Sequence, residues 1–248
     1  MSGAGWRPWL ALCALGAVAC GGGMPLLHPA HVLGAGDTTV GAGFAGQVAV
    51  PARAADVSVA TRTIHGGAVA AGISPWVAGR TGIDGSFEAG LGYSGRALRA
   101  DVRYAIPIDQ TALSFGLGAS ALLPRRDDDI GARVSGGGGD LPILFGWCNA
   151  SDVYCAWLGA RGGFDILTGS HELALDPAAP LAVPDTESVK GFHVYGGGLL
   201  GLRIGFRYVF AAMELGLTMH YAKGDVGAES VELRQFALTP AGGIVGHF

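Results

Sequence analysis

From Pro75 to the carboxyl terminus, apolar residues alternate with small or polar ones in stretch after stretch, and no helix-period segment is long enough to break the series. Phe87, Ala89, Leu91 and Tyr93 share one parity against Glu88, Gly90, Gly92 and Ser94; Leu98, Ala100, Val102 and Tyr104 stand against Arg99, Asp101 and Arg103. A period of two sends successive side chains to opposite faces, so each stretch is a strand with one apolar face. The other face collects Arg80, Glu88, Arg99, Asp101, Arg103, Arg161, Asp165, Arg203 and Glu214. A soluble sandwich would turn that charged face to water. A barrel in a membrane turns it inward, where the nearly balanced charges must satisfy one another as one lumen network.

Composition decides between the two. Charged residues make up 15% of the chain and mean hydropathy is +0.39, whereas a soluble domain carries about 25% charged residues. Yet nothing after Ala19 approaches the ~20 consecutive apolar residues of a membrane-spanning helix. High apolarity without such a helix is what a lipid-facing barrel gives, since only alternate residues need be apolar. The 44 glycines leave room on the inner face for long side chains. The predicted fold class is therefore all-β, a closed antiparallel transmembrane β-barrel over residues 38–248. A net charge of −4 offers no basic surface for nucleic acid.

The strands read as Thr38 to Val50, Pro75 to Ile83, Ser86 to Ser94, Arg96 to Ile106, Thr111 to Leu122, Leu141 to Cys148, Val153 to Leu167, Phe192 to Gly205, Tyr208 to Ala222 and Val231 to Phe248. That is about ten, with eight to twelve as the range. Asp84-Gly85 marks a tight turn. The long connections, 51–74 (with a short helix between Ala54 and Ile64), 124–140 and 168–190, all fall on one parity of the series. Long loops on one side and short turns on the other, with an even strand number, place both termini in the periplasm and the loops outside.

Ahead of the strands, Trp9 to Ala19 forms a short apolar run after Arg7 and ends in Ala17-Val18-Ala19-Cys20. This reads as a cleaved signal peptide over residues 1–19. The last four residues also form a lipobox-like motif, and Gly21 to Gly23 suit the tether that follows a lipidated Cys20; an ordinary Ala-x-Ala cleavage would cut the same bond and leave Cys20 a thiol. Residues 20–37, punctuated by Gly, Pro and His, read as a lipidated amino terminus and flexible tether.

Candidate chemistry is sparse. Cys148 and Cys155 flank a turn at Ser151-Asp152, which puts them opposite each other on one hairpin face and within disulfide range. With no His nearby in sequence, no metal site is assigned there. Asp127-Asp128-Asp129 lacks the spaced ligands of a cation loop and reads as solvated. Asn149-Ala150-Ser151 is a chance sequon, and neither Gly136 to Gly139 nor Gly196 to Gly198 has the Lys-Ser/Thr of a phosphate loop. His220, with Asp225 following and Glu214 further down the same face, is the best candidate for rim catalysis; His65, His171 and His193 lie near other external loops. No local nucleophile motif supports them, so no catalytic residue, metal or cofactor is assigned.

Several stretches resemble the small, mostly uncharacterised outer-membrane β-barrel proteins and lipoproteins of Gram-negative bacteria. They are Arg-x-Gly, Phe-Glu-x-Gly-Leu and Arg-x-Asp-Val-x-Tyr between Trp76 and Tyr104, Leu141-Pro142, Trp157-Leu158-Gly159, Met213-Glu214-Leu215-Gly216 and Thr239-Pro240-Ala241-Gly242-Gly243. The closing strand ending in Phe248 resembles the carboxyl-terminal assembly signal of such barrels. The resemblance implies the fold, an outer-membrane address, and outer-membrane lipid and the barrel assembly machinery as partners; it carries over no site residues. The leading functional reading is a structural or interaction barrel with a plugged polar lumen and loops that meet partners. A narrow pore or carrier for a small or lipidic solute is the second, and a rim enzyme acting on lipid or peptide the third.

Overall fold

Every strand in this chain finds both its neighbours. A computed structural model describes residues 24–50, 57–127, 130–172 and 186–248. Ten strands run antiparallel, each to the next, and β10 returns to β1 to close the ring. They are β1 (Thr38–Val50), β2 (Gly72–Gly82), β3 (Phe87–Ser94), β4 (Ala97–Ile108), β5 (Thr111–Asp127), β6 (Ala132–Cys148), β7 (Tyr154–Glu172), β8 (Thr186–Phe206), β9 (Val209–Val226) and β10 (Glu229–His247). One helix, α1 (Val59–Ala68), sits between β1 and β2. The fold class and strand number expected from the alternation are those found. The signal peptide (1–19), Cys20, Asp128 and Asp129 lie outside the described residues.

The exterior carries the apolar parity. Val209, Met213, Leu215, Leu217 and Met219 of β9 are all 44–58% exposed, and the run from Val209 to Tyr221 rises roughly 30 Å at ~3.3 Å per residue and a tilt near 40°. Aromatic rings border this band. Tilted Phe192–Tyr221 (5.9 Å) marks its loop end, and Phe87–Tyr104 (4.8 Å) and Trp147–Tyr154 (5.1 Å) mark the end where both termini emerge. Above Phe192 and Tyr221 the outward positions become Lys190, Ser188, Lys223 and Asp225. That change from apolar to charged at an aromatic level is the boundary of a bilayer, and the fold with this belt is that of an outer-membrane barrel.

The wall is uneven. β5 to β10 have 17 to 21 residues, well beyond the ~9–11 that cross a bilayer, whereas β2 to β4 have 8 to 12. Two expected loops are corrected by this extension. Most of 124–140 is strand, since β5 reaches Asp127 and β6 begins at Ala132, and 168–190 shrinks to 173–185 between β7 and β8. Gly136 to Gly139 hide the alternation because they have no side chains, yet they pair in register with Leu122 to Ala119.

The tether expected over 20–37 is also corrected: residues 24–33 enter the barrel. Leu26, Leu27 and Ala30 are buried there, packed in part on Trp76, Phe210, Leu144 and Trp157. At the other end α1 roofs the lumen. Ser58 caps it, its Oγ accepting the Thr61 N–H, and Ile64, wholly buried, packs with Leu122, Leu167, Val189 and Leu233 of the inner wall. The helix begins and ends later than its weak Ala-rich signal suggested, because its apolar stripe is fixed by the lumen rather than by propensity.

Closure depends on the seam. Thr38 N–H donates to the Phe248 carbonyl (3.0 Å) and Phe248 N–H to the Thr38 carbonyl (2.8 Å). Deleting Phe248 removes the last pair of this seam and one ring of the aromatic border. The expected outcome is a several-fold lower yield of heat-modifiable, closed barrel in the membrane fraction, with barrels that do close migrating normally; undiminished assembly would show the terminal residue to be dispensable.

Candidate functional site

The inner wall carries an unbroken chain of alternating charge. Arg103 pairs with Glu88 (2.8 Å), Glu88 with Arg80, Arg80 with Asp101 (2.5 Å), Asp101 with Arg99, Arg99 with Asp140 (2.7 Å), and Asp140 with Arg161. The strands bring these residues together through register. Glu88 lies directly across from Arg103 on β3 and β4, while Asp140 of β6 and Arg161 of β7 sit two positions apart on the inner face. Glycine makes the space. A Cβ at Gly118 would lie 2.6 Å from the Arg99 guanidinium and 2.7 Å from the Asp140 carboxylate, so this wall position cannot carry a side chain without displacing the pair.

Asp140 is the member that sequence reasoning missed, because it fell inside the expected 124–140 loop. Its parity with Pro142 and Leu144, both inward, was the available signal. With it, Arg80, Arg99, Arg103, Arg161 and Arg203 stand against Glu88, Asp101, Asp140, Asp165 and Glu214.

The nine lumen residues expected from the sequence, without Asp140, do not form one network. Both ends of the chain turn to the backbone of residues 24–33 instead. Arg103 donates to the Pro29 and His31 carbonyls and to His28 Nδ1 (2.6 Å), and Arg161 donates to the Met24 carbonyl (2.5 Å). Across the lumen Glu214 accepts the N–H groups of Leu26 (3.0 Å) and Leu27 (2.9 Å), and Glu88 accepts that of Leu33 (3.1 Å). An irregular segment in a lumen needs such partners, since its backbone has no ladder. Burial, and then the neighbouring Arg103, hold the His28 imidazole well below its usual pKa, which keeps it neutral and able to accept from that arginine. The apolar Met24, Leu26 and Leu27 were the sign that this stretch is no solvated tether.

Asp165 belongs to a second assembly. Asp165 Oδ2 meets His193 Nδ1 (2.9 Å), His193 Nε2 meets His220 Nδ1 (2.9 Å), and His220 Nε2 meets the Gln47 amide nitrogen (3.3 Å). The two imidazoles are coplanar within 2°. The end groups fix the direction of this relay. The Gln47 amide N–H donates to His220 Nε2, so His220 Nδ1–H donates to His193 Nε2, and His193 Nδ1–H donates to the carboxylate. Tyr195 stacks on His193 at 5.2 Å. These residues line a cavity of about 90 Å³ beneath α1, bounded below by Met24 and Pro25, with room for a few waters. Arg96 closes the roof by donating to the Gly67 and Ala68 carbonyls at the end of α1, where a cation also suits the helix dipole.

The relay is not the rim dyad that His220 and Asp225 suggested. His220 is buried in the lumen and Asp225 faces outward on β9. The Ser120 hydroxyl, in the same cavity, points at Asp165 (3.5 Å) rather than at an imidazole, and both nitrogens of each His are engaged. A nucleophile has no base here. Of the remaining candidates, His171 lies 3.7 Å from Glu187 at the loop end, and His65 is in the last turn of α1.

Arg203, expected in the charge network, lies over the Phe210 ring at 4.5 Å, and its guanidinium contacts Cys155 Sγ at 3.4 Å. Cys148 and Cys155 face each other in register and are joined as a disulfide, with His31 Nδ1 at 3.3 Å from Cys148 Sγ.

No family description matches the chain, and no curated protein does. Among solved structures it is similar to Neisserial surface protein A, NspA, at 11% identity, covering 86% of this chain and 96% of that one, with a TM-score of 0.34. Ail, the attachment invasion locus protein of Yersinia pestis, is 8% identical over 86% and 99% of the two chains, with a TM-score of 0.28. The copper transporter OprC is 12% identical over 86% and 35%, with a TM-score of 0.37. Nothing about this lumen is carried over from them.

Replacing Glu214 with Ala removes two charge-assisted acceptors, each worth about 1.5–3 kcal/mol. The amides of Leu26 and Leu27 are expected to exchange with solvent roughly a hundredfold faster or more, while the β9–β10 ladder keeps its protection. Unchanged exchange at both amides would show that apolar packing alone holds the segment.

Proposed function

We propose that this protein is a closed, non-conducting barrel of the outer membrane, with a structural or interaction role exercised at its loop end. The observation that carries the reading is that the lumen is occupied from both ends. Residues 24–33 fill the half nearest the termini, anchored by Glu214, Arg103, Arg161 and Glu88, and α1 fills the other with Ile64 wholly buried. Ten strands lie between the eight that side chains alone fill and the 16 to 18 of water-filled porins, and here the intermediate space is taken up by chain. What such a barrel presents is its surface. The walls of β5 to β10 stand above the apolar belt with Arg126, Glu172, Lys190, Lys223, Glu232 and Arg234 outermost, a mixed-charge rim suited to polar partners such as other surface molecules. A narrow pore or carrier would have to displace residues 24–33 and α1 together.

Planar-bilayer recording tests this reading. The intact protein is expected to give no conductance steps. Steps are expected only when residues 24–33 are deleted and 57–70 are replaced by a Gly/Ser linker in the same barrel. Stable steps from the intact protein would establish a pore.

Lipidation of Cys20 bears on the same segment. The lipobox-like Ala17-Val18-Ala19-Cys20 would place a lipidated amino terminus four residues before Met24, whose carbonyl Arg161 holds. Metabolic labelling with a palmitate analogue is expected to tag the wild type and to miss Cys20→Ala; equal labelling of both would remove the lipoprotein reading.

A further inference from the structure

The disulfide hairpin holds more than a disulfide needs. Cys148 ends β6 and Cys155 opens β7, their Cα atoms paired at 4.1 Å. The carboxylate of Asp152, from the turn between them, lies with both sulfurs inside a 4.8 Å circle. His31 comes from 117 residues earlier in the chain and sets Nδ1 3.3 Å from Cys148 Sγ. All but Cys155 line a vestibule of about 420 Å³ at the end of the barrel where the termini emerge. The vestibule is bounded by the docked amino-terminal segment on one side and the β6–β7 hairpin on the other.

We propose that this cluster is a redox-gated site for a borderline-soft divalent cation, zinc by its chemistry, with Cys148, Cys155, His31 and Asp152 as the four ligands. Two thiolates, one imidazole and one carboxylate are a donor set that zinc accepts in tetrahedral geometry. At Zn–S of ~2.3 Å and Zn–N of ~2.0–2.1 Å, a tetrahedral site separates N from S by roughly 3.6 Å, close to the His31–Cys148 separation already present. The charges also balance. Two thiolates and Asp152 carry three negative charges, and a dication with the Arg203 guanidinium, 3.4 Å from Cys155 Sγ, carries three positive ones. The separation of Cys148 and Cys155 by six residues conceals the site in sequence, because its His arrives through the fold.

The gate is the sulfur–sulfur bond. A dithiol reductant transfers two electrons to the disulfide and itself becomes a disulfide; the S–S bond breaks, and two protons are taken up to give the thiols of Cys148 and Cys155. Zinc binding then releases those two protons as two Zn–S bonds form. Rotation about χ1 in a directly paired, close Cα pair places the freed sulfurs the ~3.8 Å apart that tetrahedral zinc requires. In the oxidised state both sulfurs are spent on each other and the site is closed. In the reduced state the cation ties His31, and with it the docked segment, to the hairpin of the wall.

The test uses the purified full-length barrel in detergent, air-oxidised or reduced with a phosphine and desalted under nitrogen. Zinc is titrated against a chromophoric chelator, and cobalt is used as a spectroscopic stand-in. Heat-modifiable migration confirms that each sample is a closed barrel. The expected result is one zinc per reduced protein, at least tenfold weaker binding in the oxidised form, and a thiolate-to-cobalt charge-transfer band only after reduction. His31→Ala and Asp152→Asn should each weaken zinc at least tenfold while keeping the thiolate band, and Cys148→Ser should abolish both. No zinc on the closed, reduced barrel, equal binding by the oxidised form, or unchanged affinity in both His31→Ala and Asp152→Asn would overturn the proposal.

Discussion

A backbone surrounded by hydrocarbon has no water to satisfy it, and each unpaired N–H or C=O there costs several kcal/mol. The structure follows from that constraint. The chain crosses with strands whose outward positions are apolar, and strands in lipid must leave no edge. The β1–β10 ladder, running from Thr39 against His247 to Val50 against Phe236, is what converts a sheet into a permissible object. Once the ring is closed its period-two alternation divides every strand into a lipid face and a lumen face. The charged parity then has nowhere to go but inward. There it meets the opposite demand: an ionised group out of water must be paired and hydrogen-bonded, and stranding one partner typically costs ~3–5 kcal/mol.

The lumen answers that demand with contents as well as with pairs. Glu214 turns its two oxygens to two successive backbone N–H groups of the amino-terminal segment. Arg103 has Glu88 on one side and the carbonyls of Pro29 and His31 on the other. A wall that neutralised itself completely would leave an irregular segment without partners in the same space. The surplus hydrogen-bonding capacity of wall charges is thus what makes a plug possible, and the apolar Leu26 and Leu27 complete it by filling the gaps between aromatic side chains. The roof uses a different principle. α1 buries Ala60, Ile64 and Ala68 among inner-wall residues above the polar layer, while Arg96 holds its end and its cap Ser58 donates to Glu229 of β10. The long wall of β6, β7, β9 and β10 is the surface it leans on.

The architecture was legible because it is written in parity, a property of each residue's immediate neighbours. Arg99, Asp101 and Arg103 against Leu98, Val102 and Tyr104 assign inside and outside without any knowledge of tertiary contacts. The disulfide partners Cys148 and Cys155 were legible for the same reason, since a hairpin register is local. What escaped lies where the local signal is silent or points elsewhere. Gly136 to Gly139 carry no side chain to alternate, so the extension of β6 and its Asp140 read as loop in the sequence. His31, Gln47 and Met24 reach their partners over 117, 173 and 137 residues, distances at which sequence spacing says nothing. For residues 24–33 composition points the wrong way. Gly, Pro and His are the residues of a tether, but they are equally those of an irregular segment that must bend within a lumen and accept bonds from wall arginines.

Seen along the barrel axis, the titratable groups fall into layers that differ in purpose. Nearest the termini, His31, Asp152, Arg203 and the paired cysteines border an open vestibule, where exchange with small ions and reductants is physically allowed. In the middle, the alternating chain from Arg103 to Arg161 pairs along its length and anchors the segment at both ends. Beneath the roof, the Asp165–His193–His220–Gln47 relay engages both nitrogens of each imidazole. A relay of this kind transmits orientation: turning Gln47 so that its oxygen faced His220 would reverse both imidazole tautomers and set a lone pair of His193 against the Asp165 carboxylate. The repulsion that follows holds the Gln47 amide in one sense and, with it, ties β1 to β9, β8 and β7 across the lumen. The inner ties thus run between strands that do not adjoin, β1 to β9 through Gln47 and His220, β2 to β4 through Arg80 and Asp101, and β4 to β6 through Arg99 and Asp140. Hydrogen bonds between neighbouring strands resist separation along the ring, whereas these cross-lumen ties resist flattening of its section. A barrel of ten strands, too small to be propped open by water and too large to be filled by its own aliphatic side chains, needs the second kind as much as the first.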